Sequence, residues 1–353
     1  MSNNHPGNDG TPLVSVLMAA YNAELTIQEA VDSVLSQTYP NLELVVVNDG
    51  STDNTASILA EYGDDIRVVD QANSGLAAAR NAGCKAAHGE FIALMDADDR
   101  CSPDRIAVQM AAVQKFGDVA LCSTEFSAFD TTGPISKGYS RHYYSTLGRA
   151  SGGLKSLLPQ FDQLKTVRGV FPIYLGKIYE KVVFGNFLHP PTLLFPVTTL
   201  LLCGFFDESL RSHSDWEWIV RASKIGRVAY VDFSFLDYRI SPTQRSAAGQ
   251  REERTVDLIN VVTRIWQRDQ VLAASTTQQR RTQMGQICLD AADAVCDKDK
   301  IASAKYLGKG VLAGRRVGLN ALKVFVKIIF PRPLIQLLRY LRGRNSHGDL
   351  IQK

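Results

Sequence analysis

Two aspartates one residue apart, Asp96 and Asp98, directly follow an apolar run from Phe91 to Met95. Carboxylates spaced this way at the end of a buried strand can hold a hard divalent cation and leave its other positions to water and phosphate oxygens. The oxygen ligands favour such a cation over the softer metals that cysteine and histidine bind. The pair therefore predicts a site for Mn²⁺ or Mg²⁺ that also takes phosphate.

Polar residues also follow two earlier apolar runs, Val14 to Ala20 and Leu42 to Val47. Tyr21 comes directly after the first run, and Asp49 comes after the second. Ligands of open parallel sheets bind beyond the carboxyl ends of the strands, so these side chains are expected to meet Asp96 at one edge. The alternative is that they only form turns, since Asp, Asn, Gly and Ser dominate turns. Their occurrence at three successive strand ends favours a binding site.

The elements that must position these side chains follow an alternating pattern. Short apolar runs of strand length alternate with segments whose apolar residues recur at three and four, as in helices. Strands joined by helices at this spacing predict an α/β fold with a mostly parallel central sheet flanked by helices. The four strand runs are Val14 to Ala20, Leu42 to Val47, Ile66 to Val69 and Phe91 to Met95.

The pattern continues less regularly through the rest of the chain. Residues 130 to 185 give no clear assignment, whereas helical spacing dominates from Arg251 to Leu307. The remaining predictions are helices over Pro103 to Phe116 and Trp216 to Ala222, and strands over Val119 to Phe126 and Arg227 to Phe233.

Charge is distributed unevenly along the 353 residues. The net charge is +3, but the last 53 residues carry +10, which leaves −7 for the first 300. No apolar stretch reaches the roughly 20 residues that a spanning helix needs, and the polar first eleven residues do not resemble a signal peptide. The six cysteines form no C-x-x-C pair and are expected to be buried thiols in a reducing compartment. We therefore expect a cytoplasmic protein.

Two common phosphate-binding motifs are missing from the sequence. There is no G-x-x-x-x-G-K-[ST] segment, and no G-x-G-x-x-G segment follows the first strand. A glycine loop therefore does not hold the phosphates of a nucleotide, and a metal ion is expected to neutralise them.

Five segments in sequence resemble the successive motifs of family 2 glycosyltransferases, which have the GT-A fold. The order and spacing of all five make the resemblance specific, and it covers Pro12 to Tyr238. The segments are VSVLMAAYN from Val14, LVVVNDGSTDNT from Leu44, NSGLAAARNAG from Asn73, FIALMDADD from Phe91 and CGFFDESLRSHSDWEW from Cys203.

The resemblance implies an inverting transfer of a sugar from a nucleotide-sugar to an acceptor hydroxyl, with a divalent metal. It implies that Tyr21 lies against the nucleobase, that Asp49 accepts a hydrogen bond from it, and that Ala19 belongs to the same nucleotide-sugar site. Arg80 would help to hold the nucleotide-binding loop and the diphosphate.

The same resemblance assigns the chemistry to three aspartates. Asp96 would contact the ribose or the metal, Asp98 would bind the metal, and Asp215 matches the catalytic base. The sequence departs from the family pattern at Ser214, where glutamate is common before the base, and at Ser241, where histidine is frequent.

The chemistry of such a reaction independently suggests that Asp215 is a catalytic base. An inverting displacement at an anomeric carbon needs a carboxylate that takes the proton of the acceptor. The alternative is that Asp215 caps the helix predicted over Trp216 to Ala222. Trp216 and Trp218 could stack on sugar rings, and core packing is an equal alternative for either.

The predicted organisation has three parts. Residues 1–11 are expected to be disordered. Residues 12–245 form the GT-A domain, with a nucleotide-binding half over 12–126 and an acceptor half over 127–245. Residues 246–353 form a helical extension that ends in a basic amphipathic tail over 317–344.

The tail alternates apolar clusters with lysine and arginine, and Pro331 and Pro333 interrupt it. Apolar faces flanked by basic residues predict an anchor on an anionic membrane surface, at the inner face of the cell membrane. The alternative is a helix packed on the core of the protein. Aromatic residues are few and no nucleic-acid-binding module surrounds the charge, so no nucleic-acid partner is expected.

The leading hypothesis is a metal-dependent glycosyltransferase that uses a UDP-sugar and acts on a glycan or lipid-linked acceptor in surface polysaccharide synthesis. One alternative is a non-catalytic nucleotide-sugar-binding or scaffold protein with the same fold. Another is a nucleotidyltransferase, which would need a glycine-rich loop that the segment from Ala19 to Asn22 lacks.

Overall fold

The structure is a computed structural model that describes residues 10–241, 251–314 and 319–329. The chain forms two units, residues 1–244 and residues 245–353. Most of the terminus that was expected to be disordered, residues 1–9, lies outside the described residues. So do the parts of the basic tail before residue 319 and after residue 329.

Four parallel strands build the first half of unit 1. Their runs are mostly apolar, and the inner strands are buried almost throughout, as expected for strands covered on both faces. The strand order is β3-β2-β1-β4, which confirms the predicted parallel sheet with helical crossovers. The elements are β1 Val14–Ala20, α1 Ile27–Leu35, β2 Leu42–Asp49, α2 Thr55–Ala60, β3 Arg67–Gln71, α3 Leu76–Ala86 and β4 Phe91–Asp96.

The second half of unit 1 extends the same sheet in the order β4-β10-β6-β11-β9-β8. Strands β6 and β11 pair parallel, whereas β10, β9 and β8 join antiparallel, so this half is mixed. Its elements are β5 Arg100–Cys101, α4 Arg105–Phe116, β6 Val119–Asp130, β7 Gly133–Ser136, α5 Ser140–Tyr143, α6 Ser145–Arg149, α7 Leu154–Leu157, β8 Gln160–Thr166, β9 Gly169–Gly176, α8 Tyr179–Val182, β10 Leu194–Pro196, α9 Val197–Cys203, α10 Ser214–Ala222 and β11 Arg227–Arg239.

Strand direction and register decide which residues meet at the functional edge. Because β1 runs parallel to β4, Ala19 pairs with Asp96 at the carboxyl ends of both strands. Strand β10 runs antiparallel to β4, with Leu194 opposite Ala93. The residues that precede β10 therefore approach the same end of β4 as Asp96 does.

Both tryptophans of α10 belong to the core. Trp218 is fully buried, and its ring centroid lies 4.7 Å from that of Phe195 and 4.8 Å from that of Phe206. The indole nitrogen of Trp216, which is also buried, donates to the carbonyl of Val182 at 2.7 Å. Core packing, rather than sugar stacking, accounts for both side chains.

Unit 2 is helical over its described residues. Apolar side chains from α13, α14 and α15 pack into a small core of its own, which includes Ala292, Leu307, Ala321 and Val324. No helix in the part of the chain that the structure describes has the length and apolar character to cross a membrane. The helices are α11 Arg251–Arg268, α12 Gln270–Ser275, α13 Thr277–Val295, α14 Lys300–Gly314 and α15 Leu319–Ile329.

Candidate functional site

Three carboxylates meet in the turn that follows β4. Asp96, Asp98 and Asp99 each present a carboxylate oxygen, and the three oxygens lie within 4.8 Å of one another. The first two residues are the predicted metal ligands. Asp99 is not among the predicted ligands, and the structure buries it to 1% exposure within the same group.

The shape of this turn depends on contacts with distant parts of the chain. The hydroxyl of Thr26 donates to the carbonyl of Ala97 at 2.9 Å. The guanidinium of Arg239, at the end of β11, donates to the carbonyl of Asp98 at 2.8 Å, and its backbone N–H donates to Asp99 Oδ1 at 2.9 Å. These bonds tie the turn to both halves of the sheet.

The carboxylates form a site that suits a divalent cation. Burial raises the pKa of Asp99 well above its usual range, and the neighbouring charges of Asp98 and Asp96 raise it further. Asp99 Oδ2 is buried and has no hydrogen-bond partner among the described residues. Concentrated oxygen ligands with excess negative charge match the preference of Mg²⁺ and similar ions, so the residues fit the predicted metal.

Arg80 contacts this group from α3. It is 4% exposed, and its Nη2 atom lies 3.1 Å from Asp96 Oδ1. Its guanidinium carbon lies 5.8 Å from the ring centroid of Phe206. The Nη1 atom is buried without a hydrogen-bond partner in the described part of the chain. Arg80 therefore balances the charge of Asp96 and keeps one donor unused.

Asp49 is buried at the end of β2 and accepts several hydrogen bonds. Its Oδ1 atom accepts from the side chain of Gln71 at 2.7 Å and from the backbone N–H of Ser74 at 2.8 Å. Its Oδ2 atom accepts from the N–H of Gly75 at 2.9 Å. A carboxylate oxygen has two lone pairs, so Oδ2 keeps acceptor capacity while Oδ1 is filled. Asp49 thus holds the loop that begins α3.

Tyr21 lies in the loop that follows β1. Hydrogen bonds connect this loop to the loop that follows β2. The N–H of Asn22 donates to the hydroxyl of Ser51 at 3.0 Å, and the N–H of Ala23 donates to the hydroxyl of Thr55 at 2.8 Å. The Tyr21 ring is 52% exposed. A ring held on an ordered loop and open to solvent can cover a flat ligand.

Asp215 is the second residue of α10 rather than its N-cap. The cap position belongs to His213, which has a left-handed φ of 55° and makes no side-chain cap hydrogen bond. The Asp215 carboxylate accepts from the N–H of Trp216 at 2.8 Å. Burial raises the pKa of Tyr144, and the charges of Tyr143 and Asp215 raise it further.

Asn81 is a contributor that the sequence reasoning missed. Its amide nitrogen donates to the carbonyl of Phe206 at 2.9 Å, and its amide oxygen accepts from the N–H of the same residue at 2.9 Å. Asn81 therefore fastens α3 to the segment before α10. The sequence shows a polar residue within an alanine-rich helix. It does not show which residue that side chain contacts, because the partner lies 125 residues away.

The structure groups most of the predicted site residues at one edge. Ala19, Tyr21, Asp49 and the Asp96–Asp99 turn all lie at the carboxyl ends of β1, β2 and β4. Arg80 reaches the same turn from α3. Asp215 comes from α10, in the second half of the sheet.

Comparison with known sequences shows similarity to one family of enzymes. Residues 15–172 match the sequence model of glycosyl transferase family 2. An uncharacterized glycosyltransferase of Rickettsia typhi is 26% identical over 279 residues, which cover 77% of this chain and 78% of that protein. The uncharacterized glycosyltransferase YibD of Escherichia coli is 36% identical over 127 residues, or 35% of this chain and 37% of that protein.

Solved structures share the fold at low sequence identity. S. aureus TarS in complex with UDP-GlcNAc superposes with a TM-score of 0.54 at 17% identity, over 86% of this chain and 89% of that one. The mannosyltransferase PcManGT from Pyrobaculum calidifontis, in complex with GDP-Man and Mn²⁺, gives a TM-score of 0.50 at 19% identity, over 89% of this chain and 79% of that one. These similarities establish the GT-A fold.

Proposed function

We propose that this chain belongs to glycosyl transferase family 2 and transfers a sugar from a nucleotide-sugar to a hydroxyl group of a glycan or lipid-linked acceptor, with inversion. The observation that carries the proposal is the group of three carboxylates after β4, whose oxygens lie within 4.8 Å of one another. It lies at the sheet edge where α/β proteins bind nucleotides.

The nucleotide would bind between the loops after β1 and β2. The exposed ring of Tyr21 would cover the nucleobase, and the remaining lone pair of Asp49 Oδ2 would accept one of its N–H groups. Ala19, which pairs with Asp96, would line the floor of this site. Support for a UDP-sugar comes from TarS, whose structures hold UDP or UDP-GlcNAc.

The diphosphate would lie at the Asp96–Asp99 turn. Asp96 and Asp98, joined by Asp99, would hold Mn²⁺ or Mg²⁺, which neutralises the charge of the departing diphosphate. The Mn²⁺ in the mannosyltransferase structure supports this choice of ion. Arg80 keeps the Asp96 carboxylate in place through their 3.1 Å ion pair, and its Nη1 donor, which has no hydrogen-bond partner among the described residues, would bind the ligand.

Asp215 would act as the base. Its carboxylate would take the proton of the acceptor hydroxyl as that oxygen attacks the anomeric carbon from the face opposite the diphosphate. The left-handed His213 and the helix that begins at Ser214 fix the direction of this side chain. Inversion follows from a single displacement of this kind.

The acceptor would be presented at a membrane. On α15, Leu322, Phe325 and Ile329 are about half exposed, at 52%, 51% and 51%, and Lys323 is exposed on the same helix. An exposed apolar face beside lysine suits anionic lipid. We propose a peripheral enzyme at the inner face of the cell membrane that helps to build a surface polysaccharide.

The test is release of nucleotide from a panel of UDP-, GDP- and dTDP-sugars, with Mn²⁺ or Mg²⁺ and candidate acceptors. The natural-sequence protein should release nucleotide with one donor. Asp215→Asn should lower this rate by roughly 10²- to 10⁴-fold, because general-base catalysis contributes about that much, and should leave nucleotide affinity nearly unchanged. Asp64→Asn, at a surface position, is the matched control.

Other outcomes separate the alternatives. Binding of a nucleotide-sugar without any release would favour the non-catalytic nucleotide-sugar-binding protein. Equal loss of turnover and affinity in Asp215→Asn would make that residue structural. For the membrane, the full chain and a variant without residues 317–353 are compared for binding to anionic vesicles, and equal binding would contradict the anchor.

A further inference from the structure

Two side chains from distant elements hold the turn after β4 by its backbone carbonyls. The hydroxyl of Thr26 donates to the carbonyl of Ala97 at 2.9 Å. Nε of Arg239 donates to the carbonyl of Asp98 at 2.8 Å, and the backbone N–H of Arg239 donates to Asp99 Oδ1 at 2.9 Å. Arg239 therefore contacts the turn through both its side chain and its backbone.

The carboxylates of this turn need such support. Three carboxylate oxygens that lie within 4.8 Å of one another repel each other when ionised, and the repulsion favours conformations in which the side chains turn apart. A bound cation would remove the repulsion, but the turn must bring the carboxylates together before the cation binds. Hydrogen bonds to the backbone meet this need, because they fix the directions of the side chains without neutralising them.

The guanidinium of Arg239 is itself held in place by two side chains. Its carbon lies 4.5 Å from the ring centroid of Phe129, which is opposite Arg239 in the pairing of β11 with β6. Its Nη2 atom forms an ion pair with Oε2 of Glu29, on α1. These contacts keep the guanidinium on the carbonyl of Asp98.

Arg100 binds the other oxygen of the same glutamate. Its Nη1 atom donates to Glu29 Oε1 at 2.8 Å, and its Nε atom donates to Asp237 Oδ2 at 3.1 Å. Its guanidinium carbon lies 4.2 Å from the ring centroid of Phe129. The hydrogen bond from Arg100 holds the pKa of Glu29 below its usual value. Glu29 is therefore an ionised carboxylate with one arginine on each oxygen, which fixes its place beside Arg239.

We propose that Arg239 and Glu29 are positioning residues of the metal site: Glu29 holds the Arg239 guanidinium on the Asp98 carbonyl, and Arg239 keeps the carboxylates of Asp98 and Asp99 directed at one cation. This inference rests on the proposed function, which supplies the cation. Neither residue binds the cation in this role. Groups that hydrogen-bond to metal-binding residues typically change metal affinity 10- to 100-fold when they are replaced.

Charge and position predict opposite effects for the loss of Arg239. The guanidinium is a cation close to carboxylates, so its removal on grounds of charge alone should strengthen the binding of a divalent cation. If the guanidinium instead fixes the turn, its removal should weaken that binding. Arg239→Gln separates the two effects. Arg239→Lys keeps the charge but lacks the planar fork that reaches the Asp98 carbonyl and Glu29 together, so it should also weaken binding.

The chain offers a matched control for each residue. Arg227, the first residue of β11, pairs with Asp118 at 2.8 Å and lies 6.0 Å from the ring centroid of Phe116. It has the same kinds of contact as Arg239 at the opposite end of the strand. Asp237 bonds to Arg100, as Glu29 does. Asp237→Asn removes a negative charge beside the same arginine, without the ion pair that holds Arg239.

The test measures the affinity of the full chain for Mn²⁺, by electron paramagnetic resonance of the free ion. It is measured with Mn²⁺ alone and with whichever of UDP, GDP and dTDP raises the melting temperature most. Arg239→Gln and Arg239→Lys should bind Mn²⁺ roughly 10- to 100-fold more weakly. Glu29→Gln should bind it roughly 3- to 10-fold more weakly, because Arg239 keeps its bond to the turn but is less firmly held. Arg227→Gln and Asp237→Asn should keep the natural affinity.

Several outcomes would overturn the inference. An unchanged or higher affinity for Mn²⁺ in Arg239→Gln would show that the guanidinium acts only through its charge or not at all. Equal weakening in Arg227→Gln would attribute the loss to the stability of the sheet, and equal weakening in Glu29→Gln and Asp237→Asn would attribute it to charge. Arg239→Lys decides if Arg239→Gln does not fold. If the natural-sequence protein binds no Mn²⁺ under either condition, the proposed metal-dependent function itself fails, and this is seen before any variant is made.

Discussion

In one part of the sheet edge the buried polar atoms have hydrogen-bond partners within the chain, and in another part several buried polar atoms lack them among the described residues. Around Asp49, three donors from within the chain already occupy the buried carboxylate. At the end of β4, Arg80 Nη1, Asp99 Oδ2 and His189 Nε2 are buried and find no partner among the described residues. Most acceptor positions of the first region are filled without a ligand, whereas the second keeps several buried polar groups that a ligand could satisfy.

This difference separates residues that shape the site from residues that act in it. A buried carboxylate that accepts hydrogen bonds from backbone N–H groups stabilises the folded chain, so its loss should lower the free energy of unfolding. Buried polar atoms without partners destabilise the folded chain until a ligand forms hydrogen bonds with them. Their loss should therefore lower the affinity for the ligand and the rate of turnover. Substitutions in the two regions should therefore affect different measurements.

Asp98→Asn tests the region at the end of β4 most severely. We expect transfer to fall about 100-fold or more, because the proposed metal ion would supply several kcal/mol of charge stabilisation. Thermal stabilisation by Mn²⁺ with nucleotide should be lost, while the melting temperature without metal should change little. A normal response to Mn²⁺ would contradict the assignment of this carboxylate to the metal.

Asp49→Asn tests the other region. The amide would place an N–H₂ group against one of the present donors, so we expect a loss of about 2 to 4 kcal/mol in the free energy of unfolding. Urea denaturation without metal or nucleotide measures it, with Asp98→Asn as the contrasting variant. Equal stabilities of the two variants would remove the distinction between the regions.

The pH dependence of stability tests the burial of His189. Its pKa of about 3 in the folded chain lies below the ordinary value of 6.5, so only the unfolded chain takes up this proton near neutrality. The stability that the neutral ring contributes is therefore present above pH 6.5 and lost as the pH falls toward 3. Between pH 7 and pH 5 this group alone should lower the free energy of unfolding by about 2 kcal/mol.

His189→Gln should remove that part of the pH dependence, measured by urea denaturation at both pH values. His142→Gln, at an exposed histidine, is the control and should keep it. Equal slopes for His189→Gln and the natural sequence would show that the buried ring is not the source.

Gly50→Ala should give the smallest effect. Gly50 has a φ of 70°, and a Cβ there would lie 2.6 Å from the backbone nitrogen of Asn73, next to the loop that Asp49 holds. Gly63 has a similar φ of 52° with open space around it. We expect Gly50→Ala to lower the free energy of unfolding by about 1 to 2 kcal/mol more than Gly63→Ala does, because only the first adds a clash to the backbone strain.

Some parts of this structure could be predicted from the sequence, and others could not. The parallel strands of the first half follow from apolar runs that end in polar residues, and the proposed metal site at Asp96 and Asp98 follows from its place after such a run. Residues 130–185 could not be assigned, because their strands β8 and β9 are only partly buried and their helices span only four or five residues. These helices lack the length over which a period becomes visible.

The amino-acid sequence by itself determined the α/β fold, the edge at which Tyr21, Asp49 and Asp96 lie, and the resemblance to family 2 glycosyltransferases. These features are local, since each depends on a few residues within one strand or on the turn that follows it. Only the tertiary structure decided that Asp99 joins the carboxylates, that Arg80 pairs with Asp96, that Trp216 and Trp218 enter the core, and that His189 bonds to Tyr144. The reason is physical: these arrangements depend on contacts between groups from separate elements, up to 141 residues apart in the chain, that meet only once the sheet has assembled.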